Sequence, residues 1–393
     1  MTPPAAVWHT LPFLTATTKI DAEKGYAAMG RSYTIAVLEG DCIGPEITVE
    51  AIKVLRAVEK DLDVSFDLRK AAFGGQAWYD HGHSFPEATK AVCDAADAIL
   101  KGPIGLSFEE SQKIPVDEQP ERGALLPMRK RYNTYANFRP VYLPKELSHF
   151  SPLKPAIVGD GIDIMMIREL VGGLYFGAKA RGTDDAGRRF VHEQLAYDED
   201  QIKRILKVAF EVAMKRKKVL HNVHKSNVLM SSVLWNEIVA EVAPEYPEVE
   251  VKHVIVDAAA TALVLNPGQF DVMVMENMFG DILSDLGGGL LGSLGLMPSA
   301  CIGTEKSYYE PSHGSAPDIA GKGIANPYSM IGSVALMLEM SFGLEDAAKR
   351  IWDAMRQVFG EGYTTADLRD PEGKAEPITT AEFGDKVVEK LGG

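Results

Sequence analysis

In FDVMVMENMFGDILSD, residues 270–285, a short apolar run leads into a helical pattern, which is the clearest indication of the fold in this chain. Val272–Met275 is apolar at every position, as expected of a strand buried in a parallel sheet. A helix beginning near Phe279 would place Asp281 and Asp285 on one face. Two carboxylates one helical turn apart repel each other unless a cation lies between them. Mg²⁺ and Mn²⁺ prefer oxygen ligands of this kind. Taken alone, the segment equally allows a helix-capping aspartate and a solvated one.

The same alternation of apolar runs and amphipathic stretches extends along the chain. Amphipathic patterns cover residues 200–219 and 226–242. The short apolar runs, each of a length typical of buried strands, are 34–38, 98–100, 162–167, 219–223, 254–256 and 272–275. The pattern predicts an α/β fold with a largely parallel, buried sheet. Because no long linker divides the chain, we expect two domains between which it crosses more than once.

A glycine-rich run, GGGLLG at 287–292, matches the G-x-G-x-x-G fingerprint of dinucleotide-binding Rossmann folds. In that fingerprint the glycines follow their strand directly and open the next helix. Here a helical pattern from about Phe279 lies between the strand and the glycines. We therefore predict that the fold is not a Rossmann fold and that the glycines permit close helix packing or end a helix.

Composition and charge exclude several classes of protein. With 393 residues, 46% of them hydrophobic, the chain is long enough for a well-buried core and two domains. A net charge of −14 produces no field that would attract nucleic acid or an anionic membrane. No apolar run reaches the length of a membrane span. The three cysteines form no C-x-x-C pair, which indicates neither a disulfide framework nor a zinc site and favours the cytoplasm.

Residues 1–28 differ in composition from the rest of the chain, since they are rich in Thr, Ala and Pro. They have neither a basic start nor the apolar core of a signal peptide, and Asp21 and Glu23 are atypical of an organelle transit peptide. We treat them as an N-terminal extension of unknown role. Met29, directly before the first strand pattern, could be the true start.

Three arginines in separate sequence settings could bind a small dicarboxylate: Arg129, Arg139 and Arg168. A guanidinium forms paired hydrogen bonds with a carboxylate, and three converging guanidinium groups would hold a dicarboxylate tightly. Each arginine alone is more often a surface ion-pair partner. Arg168 differs, because it closes the apolar run 162–167.

Three further side chains occupy positions that suit catalysis. Tyr175 lies in GGLYFG, residues 172–177, where glycines allow a tight turn that could present the phenol to a cleft. Lys225 follows the apolar run 219–223 and Asp257 ends the run 254–256. Ligands of α/β proteins bind at the carboxyl ends of strands. In isolation, the tyrosine could be half-buried with its hydroxyl on water, and the lysine could be a surface residue.

Residues 309–327, YEPSHGSAPDIAGKGIANP, are too many and too polar for a helix or a strand. A loop of this length in a compact domain usually binds a ligand. Its small residues would allow backbone N–H groups to approach a pyrophosphate. Asp318 could accept hydrogen bonds from the two hydroxyls of a ribose. The 2′-phosphate of NADP would instead repel this carboxylate, so the sequence favours NAD over NADP.

Together these segments resemble the β-decarboxylating dehydrogenases of 2-hydroxy acids, and most closely the isopropylmalate branch of the isocitrate and isopropylmalate dehydrogenases. The resemblance runs from about Tyr33 to the C-terminus. It rests on GDCIGPE at 40–46, RELVGGLYFG at 168–177, the segment of the paired aspartates, and the loop 313–327. It implies two α/β domains that share a large mixed sheet. Residues 29–134 with 292–393 would bind the cofactor, and residues 135–291 would bind substrate and metal and form a homodimer.

The resemblance also implies a role for each candidate residue. Asp281 and Asp285 of one subunit, with Asp257 of its partner, would hold Mg²⁺ or Mn²⁺ against the substrate's hydroxyl and carboxylate. Lys225, also contributed by the partner, would accept the hydroxyl proton, and Tyr175 would protonate C3 of the enol. The substrate's carboxylates would be bound by Arg129, Arg139 and Arg168. The contacts with NAD would be made by Glu310, His313, Gly314, Ser315, Ala316, Asp318 and Asn326.

Substrate choice in the family is set just before the first arginine. Isocitrate enzymes carry Ser and Asn six and four positions upstream of it, where this chain has Gly123 and Leu125, followed by Leu126. Two leucines would suit an isopropyl group and would leave a γ-carboxylate unpaired in an apolar pocket. The resemblance thus implies NAD-dependent oxidative decarboxylation of 3-isopropylmalate to 4-methyl-2-oxopentanoate, in leucine biosynthesis.

Four features depart from the family pattern. Cys42 replaces the usual glycine, His224 stands where an acidic residue commonly precedes the lysine, the segment 120–125 has one residue more than usual, and KGP at 101–103 is similar to the isocitrate branch. The alternatives are the same chemistry on another 2-hydroxy diacid, such as an alkylmalate, tartrate, malate, homoisocitrate or isocitrate, or a non-catalytic subunit. The complete set of candidate catalytic residues argues against a non-catalytic subunit.

Overall fold

The computed structural model describes residues 30–368 and 376–392, so the N-terminal extension 1–28 lies outside the described residues. The strands are β1 (Arg31–Leu38), β2 (Val64–Lys70), β3 (Ala98–Lys101), β4 (Ala136–Pro144), β5 (Gly161–Glu169), β6 (Lys179–Thr183), β7 (Arg189–Glu193), β8 (Val219–His224), β9 (Glu250–Ile255), β10 (Val272–Met275), β11 (Pro298–Ile302), β12 (Tyr308–Pro311), β13 (Tyr363–Thr364) and β14 (Glu376–Pro377).

Single helices or pairs of helices connect most of these strands. They are α1 (Gly44–Glu59), α2 (Gly75–His81), α3 (Glu87–Ala95), α4 (Phe108–Ser111), α5 (Leu126–Arg131), α6 (Pro155–Val158), α7 (Glu199–Met214), α8 (Met230–Val242), α9 (Val256–Leu265), α10 (Asn277–Leu291), α11 (Tyr328–Met340), α12 (Glu345–Gly360) and α13 (Thr380–Gly392). Across the described ranges, none has the length and apolar character needed to cross a membrane.

Ten strands form one mixed sheet in the order β2-β1-β3-β12-β11-β4-β5-β10-β8-β9. The four strands at each end are mutually parallel, but β11 is antiparallel to both of its neighbours and β4 is antiparallel to β5. The two parallel halves therefore run in opposite directions and meet at the centre of the sheet. The chain builds the first half, crosses to the second, and returns through β11 and β12. This arrangement confirms the predicted α/β fold with a large mixed sheet, which is not a Rossmann fold.

Two apolar clusters hold the sheet and its helices together. The larger one spans both halves of the sheet and includes Ile167 and Phe210, both fully buried. The smaller one lies beside α5 and includes Phe85, Ala124 and Met128. Because interiors are close-packed, these clusters fix the strand ends and the short helix that carry the candidate arginines.

The glycines of α10 allow this helix to pack closely on the sheet. A Cβ at Gly280 would lie 2.4 Å from Arg168 Cγ, and one at Gly287 would lie 2.6 Å from Val141 Cγ2. Gly292 ends the helix with φ +96°, a conformation that glycine adopts without a steric penalty. The glycine run therefore serves helix packing and helix termination, as predicted.

Several predicted boundaries were wrong. Strand β9 ends at Ile255, so Asp257 lies in the first turn of α9 rather than at the end of a strand. The segment predicted to be a loop from Tyr309 continues as strand to Pro311. Helix α8 begins at Met230 instead of residue 226. Apolar residues at such junctions are compatible with the end of one element or the start of the next. A hydrophobic pattern therefore does not locate the boundary between them.

The GDCIGPE motif forms a tight turn between β1 and α1. Cys42 has φ +52°, a left-handed conformation that costs a side chain about 1–2 kcal/mol. Its Sγ contacts the Gly105 carbonyl oxygen only at 3.6 Å. The turn is held mainly by buried Asp41, whose carboxylate accepts hydrogen bonds from the N–H groups of Gly75, Gln76 and Gly105.

We expect Cys42→Gly to raise the free energy of unfolding by about 1 kcal/mol, because glycine removes the strain of the positive φ. Denaturant unfolding of both proteins would measure the change. A suitable control is Asn133→Gly at φ +45°, which should destabilise the protein because the Asn133 side chain bonds to Thr304 and Arg204. A destabilised Cys42→Gly variant would show that the thiol contact outweighs the strain.

Candidate active site

Arg168 lies near the carboxyl end of β5 and is only 2% exposed. Its Nη1 is 2.5 Å from Asp281 Oδ1, and its Nε and Nη2 donate to Asn277 Oδ1 at 3.1 and 2.7 Å. The first two turns of α10 therefore hold the guanidinium. Burial lowers the pKa of Arg168 to about 10 although Asp281 opposes the shift, so the side chain stays charged at neutral pH.

Tyr175 ends the short 3₁₀ turn Gly173–Tyr175, and its hydroxyl donates to Asp281 Oδ2 at 2.8 Å. A Cβ at Gly172 would lie 2.4 Å from the ring of Tyr197, and one at Gly173 would lie 2.6 Å from its hydroxyl. The turn that directs the phenol toward α10 therefore requires both glycines. Burial and the hydrogen bond to Asp281 raise the pKa of Tyr175 to about 12, so the phenol keeps its proton at neutral pH.

Arg139 on β4 faces the second carboxylate of α10. Its Nη1 donates to Asp285 Oδ1 at 3.1 Å and to Ser284 Oγ at 2.7 Å. Burial raises the pKa of Asp285 despite the opposing charge of Arg139. For Asp281, burial acts in the same direction, but Arg168 and Arg139 lower its pKa below the ordinary value. Each carboxylate of the pair thus faces its own arginine.

Arg129 on α5 is buried beneath the same region. Its Nε donates to the Tyr308 hydroxyl at 3.0 Å, and its Nη2 lies 3.9 Å from Glu310 Oε1. Glu310 is paired at 2.5 Å with Lys101 Nζ, which is itself 1% exposed. Burial would raise the pKa of Glu310, but Lys101 and Arg129 lower it below its ordinary value. Glu310 therefore lies within the sheet, between two cations.

A row of buried polar side chains lies beneath Arg129 and Arg139, and the sequence pattern did not predict it. Asn137 accepts from Arg139 Nε at 2.8 Å and donates to Cys301 Sγ at 3.2 Å. The other members of the row are Lys101, Ser299, Tyr308 and Glu310. The sequence contained one indication of this row, because Lys101 directly follows the apolar run 98–100, just as Arg168 directly follows the run 162–167.

Lys225 and Asp257 form a separate pair, with Lys225 Nζ 2.5 Å from Asp257 Oδ1. Lys225 follows β8 and Asp257 lies in the first turn of α9. The hydrogen bond from Lys225 lowers the pKa of Asp257. The Asp257 side chain is 68% exposed, so it is available to a ligand or a second chain.

His224, directly before Lys225, is buried at the end of β8. Its Nδ1 accepts from the Ser226 N–H at 3.2 Å, and its ring packs edge-on against His253 with centroids 5.8 Å apart. Burial and the neighbouring His253 lower the pKa of His224. A neutral imidazole therefore directly precedes Lys225 at the end of β8.

The loop after β12 is anchored to its surroundings at two points. His313 Nδ1 forms a hydrogen bond with the Gly314 carbonyl, and its Nε2 with the Ser329 hydroxyl, both at 2.8 Å. Ser315 Oγ donates to the Gly105 carbonyl at 2.6 Å. These bonds place the loop against α11 and against the segment that follows β3.

The remaining predicted cofactor residues lie further along this loop. Ala316 has φ +44°, which turns the backbone into the 3₁₀ turn Pro317–Ile319 that carries Asp318. Asp318 is exposed. Asn326 is buried and donates from Nδ2 to Asp367 at 3.2 Å. The loop thus offers exposed backbone and one exposed carboxylate, which suits a polar ligand such as a nucleotide.

The paired aspartates have the chemistry of a divalent cation site. Asp281 and Asp285 are one helical turn apart and partly exposed, with oxygen atoms that Mg²⁺ and Mn²⁺ prefer. In the part of the chain that the structure describes, no three His, Cys, Asp or Glu side chains are grouped to hold a metal ion. Asp257 therefore does not complete this pair within one protomer.

The sequence profile described as isocitrate/isopropylmalate dehydrogenase matches residues 34–387. The chain belongs to this family, which makes it a dehydrogenase of the β-decarboxylating class.

Two relatives from bacteria illustrate the similarity. The 3-isopropylmalate dehydrogenase of Geobacter sulfurreducens is 47% identical over 92% of this chain and 100% of its own length. That of Thermotoga maritima is 47% identical over 91% of this chain and 98% of its own.

Solved structures agree with the fold. Isocitrate dehydrogenase from Methylococcus capsulatus has a TM-score of 0.80 at 36% identity and covers 91% of this chain and 99% of its own. A β-decarboxylating dehydrogenase from Thermococcus kodakarensis has a TM-score of 0.71 at 33% identity, covering 92% of this chain and 96% of its own.

Proposed function

We propose that this protein catalyses the NAD-dependent oxidative decarboxylation of 3-isopropylmalate to 4-methyl-2-oxopentanoate, a step of leucine biosynthesis in the cytoplasm. One observation carries the proposal: two guanidinium groups, a protonated phenol and two carboxylates that could bind a metal ion lie in one cluster. Its members are Arg139, Arg168, Tyr175, Asp281 and Asp285. Relatives named 3-isopropylmalate dehydrogenase, at 47% identity over nearly their whole length, support the same activity here.

The mechanism follows from these side chains. The arginines would bind the substrate's carboxylates, and Lys225 would take the proton of the C2 hydroxyl. When bound, NAD would accept the hydride from C2, and Mg²⁺ or Mn²⁺ held by Asp281, Asp285 and Asp257 would draw electron density from the C2 oxygen. Loss of CO₂ from the resulting β-keto acid leaves an enolate. Tyr175, which stays protonated at neutral pH, would deliver its proton to C3.

We propose further that Lys225 and Asp257 reach this site from a second protomer. Both lie near exposed apolar side chains, and α10 exposes Ile282 between its two aspartates. The most exposed of these apolar side chains are Val228 at 68%, Met230 at 77%, Leu265 at 63% and Ile282 at 61%. Exposed apolar surface of this kind marks a protein interface, and homo-oligomers are most often dimers of two-fold symmetry. The active unit would then be a homodimer with two shared sites.

The choice of 3-isopropylmalate over isocitrate rests on the segment before Arg129. Gly123 and Leu125 offer no hydroxyl or amide for a third carboxylate. Lys101, the feature similar to the isocitrate branch, is buried and paired with Glu310 inside the sheet. It therefore adds no free cation to the cleft.

Parallel assays of NADH formation would test the function. The protein, NAD and Mg²⁺ would be offered 3-isopropylmalate, isocitrate, homoisocitrate, malate and tartrate. We expect the highest kcat/KM with 3-isopropylmalate. Preference for another acid would support the proposed oxidative decarboxylation but would show that 3-isopropylmalate is not the substrate. No turnover of any of the five acids, with NAD and Mn²⁺ shown to bind, would overturn the proposed activity in favour of a non-catalytic subunit.

Asp318→Lys should weaken NAD binding by about 10- to 100-fold, because hydrogen bonds to a charged acceptor are replaced by a cation. The affinity for NADP should fall less, since a lysine would face the 2′-phosphate. Fluorescence titration with each nucleotide would measure both. Glu305→Lys is a matched control, with the same change of charge at an exposed position before β12. An NAD affinity unchanged by Asp318→Lys would show that this carboxylate does not contact the ribose.

A further inference from the structure

His224 is a buried side chain to which the proposed reaction assigns no role. It ends β8, is 8% exposed and directly precedes Lys225. Side chains two positions apart on a strand lie on the same face of the sheet, so His224 shares its face with Asn222. Asn222 Oδ1 accepts from Trp235 Nε1 of α8 at 2.9 Å. His224 therefore lies on the face of the sheet that α8 covers.

A hydrogen bond to the backbone fixes the protonation state of His224. Its Nδ1 lies 3.2 Å from the backbone nitrogen of Ser226 and 3.0 Å from Ser226 Oγ. A backbone N–H can only donate, so Nδ1 must carry no proton. Burial and the neighbouring His253 lower the pKa of His224, which favours the same form. His224 is therefore a neutral imidazole with its proton on Nε2.

The bond from Ser226 to His224 spans Lys225, because its donor and its acceptor belong to the residues on either side. The Lys225 N–H donates to Ser232 Oγ of α8 at 3.0 Å. The Lys225 carbonyl accepts from the N–H groups of Val228 and Leu229 at 3.0 and 2.9 Å. Together these bonds fix the backbone of Lys225, which determines the direction in which its side chain leaves the turn.

The bonding of His224 and its packing can be separated by substitution. Asparagine in a turn commonly accepts the N–H of the residue two positions ahead, as His224 Nδ1 does here. Leucine fills more of the buried space than asparagine does, but it has no acceptor. If the bond is what matters, asparagine should replace His224 better than leucine. If only packing matters, the order should be reversed.

We propose that His224 is a positioning residue for Lys225, because its Nδ1 holds the turn from which the lysine reaches the C2 hydroxyl of the substrate. The inference rests on the proposed function and on Lys225 as the proton acceptor. Displacing a reacting group by about 1 Å can lower the rate about 100-fold. The substrate's carboxylates would be bound by arginines on other elements, so loss of the bond should lower kcat and leave KM nearly unchanged.

The matched variants His224→Leu and His224→Asn test this role. With 3-isopropylmalate, NAD and Mg²⁺, His224→Leu should lower kcat by about 10- to 100-fold and leave KM within about twofold of the wild type. His224→Asn should keep kcat within about threefold of the wild type. The midpoint of thermal unfolding should follow the opposite order, because leucine fills the buried space and asparagine leaves part of it empty. Activity and stability therefore change in opposite directions.

A double variant tests whether His224 acts through the lysine. In protein that already carries Lys225→Met, adding His224→Leu should lower the remaining kcat by less than about twofold. The position of residue 225 no longer matters once its amine is gone, so the two losses should not add.

Three results would overturn the inference while the proposed function stood. They are a kcat of His224→Leu equal to that of His224→Asn, a kcat that follows the unfolding midpoint, and a further tenfold loss in the double variant. Each would show that His224 acts by packing or at another part of the site. A wild-type protein that turned over none of the five acids would overturn both proposals.

Discussion

Lys225→Met should lower kcat by about 100- to 10,000-fold, the range usual for loss of a general base. Methionine keeps the apolar stem but removes the group that would accept the proton of the C2 hydroxyl. KM for the substrate should change little, because the substrate's carboxylates would be bound by arginines on other elements. Steady-state kinetics with 3-isopropylmalate, NAD and Mg²⁺ would measure both constants.

A matched control for this variant is Lys252→Met. Lys252 is an exposed lysine on β9, the neighbouring strand, and its ion pair with Glu250 lies at the surface. Its replacement should leave kcat within about twofold of the wild type, since exposed ion pairs contribute little. If Lys225→Met retained kcat within a few-fold of the control, the assignment of Lys225 as the proton acceptor would have to be dropped.

Asp281→Asn should weaken Mn²⁺ binding and lower kcat, each by about 100-fold or more, since a charged ligand is lost. The asparagine would keep the shape of the side chain and could still accept from the Tyr175 hydroxyl. It would, however, leave the guanidinium of Arg168 buried without its counter-charge. Calorimetric titration with Mn²⁺ measures the metal affinity without any need for turnover.

Asp271→Asn separates a loss of metal binding from a loss of stability. Asp271 lies directly before β10, is buried, pairs with Arg216 at 2.8 Å and accepts from the Lys217 N–H at 2.9 Å. This variant should be destabilised but should bind Mn²⁺ as the wild type does. Equal Mn²⁺ affinity of Asp281→Asn and wild type would remove Asp281 from the metal site.

The parts of the site that the sequence predicted are local in the chain. The strand Val272–Met275, the helix after it and the spacing of Asp281 and Asp285 lie within a few turns of one another. Their relation therefore follows from helix and strand periodicity alone. Arg168 was likewise singled out by a local signal, a charged residue that closes an apolar run.

The polar row beneath the arginines could not be predicted, because it depends on strand order. Arg129 and Tyr308 are 179 residues apart in the chain, and they meet only because β11 and β12 return to the centre of the sheet. Strands β4 and β11 are buried along nearly their whole length, so they lack the one-sided burial that usually marks antiparallel strands, and the reversal at β11 could not be predicted from the pattern. The extra residue near Ala124 was visible as an anomaly of spacing, but a loop could have absorbed it as well as the π turn that forms at Pro120–Leu125.

In the proposed dimer, one protomer supplies Tyr175 and the paired aspartates while the other supplies Lys225 and Asp257. Tyr175→Phe and Lys225→Met homodimers should each be nearly inactive. In a mixed dimer one site carries both changes and the other carries neither. Random exchange of subunits makes about half of the dimers mixed, so about a quarter of wild-type activity should return. If mixed dimers form, as native mass spectrometry would show, and no activity returns, the residues act within one protomer and the proposal of shared sites is wrong.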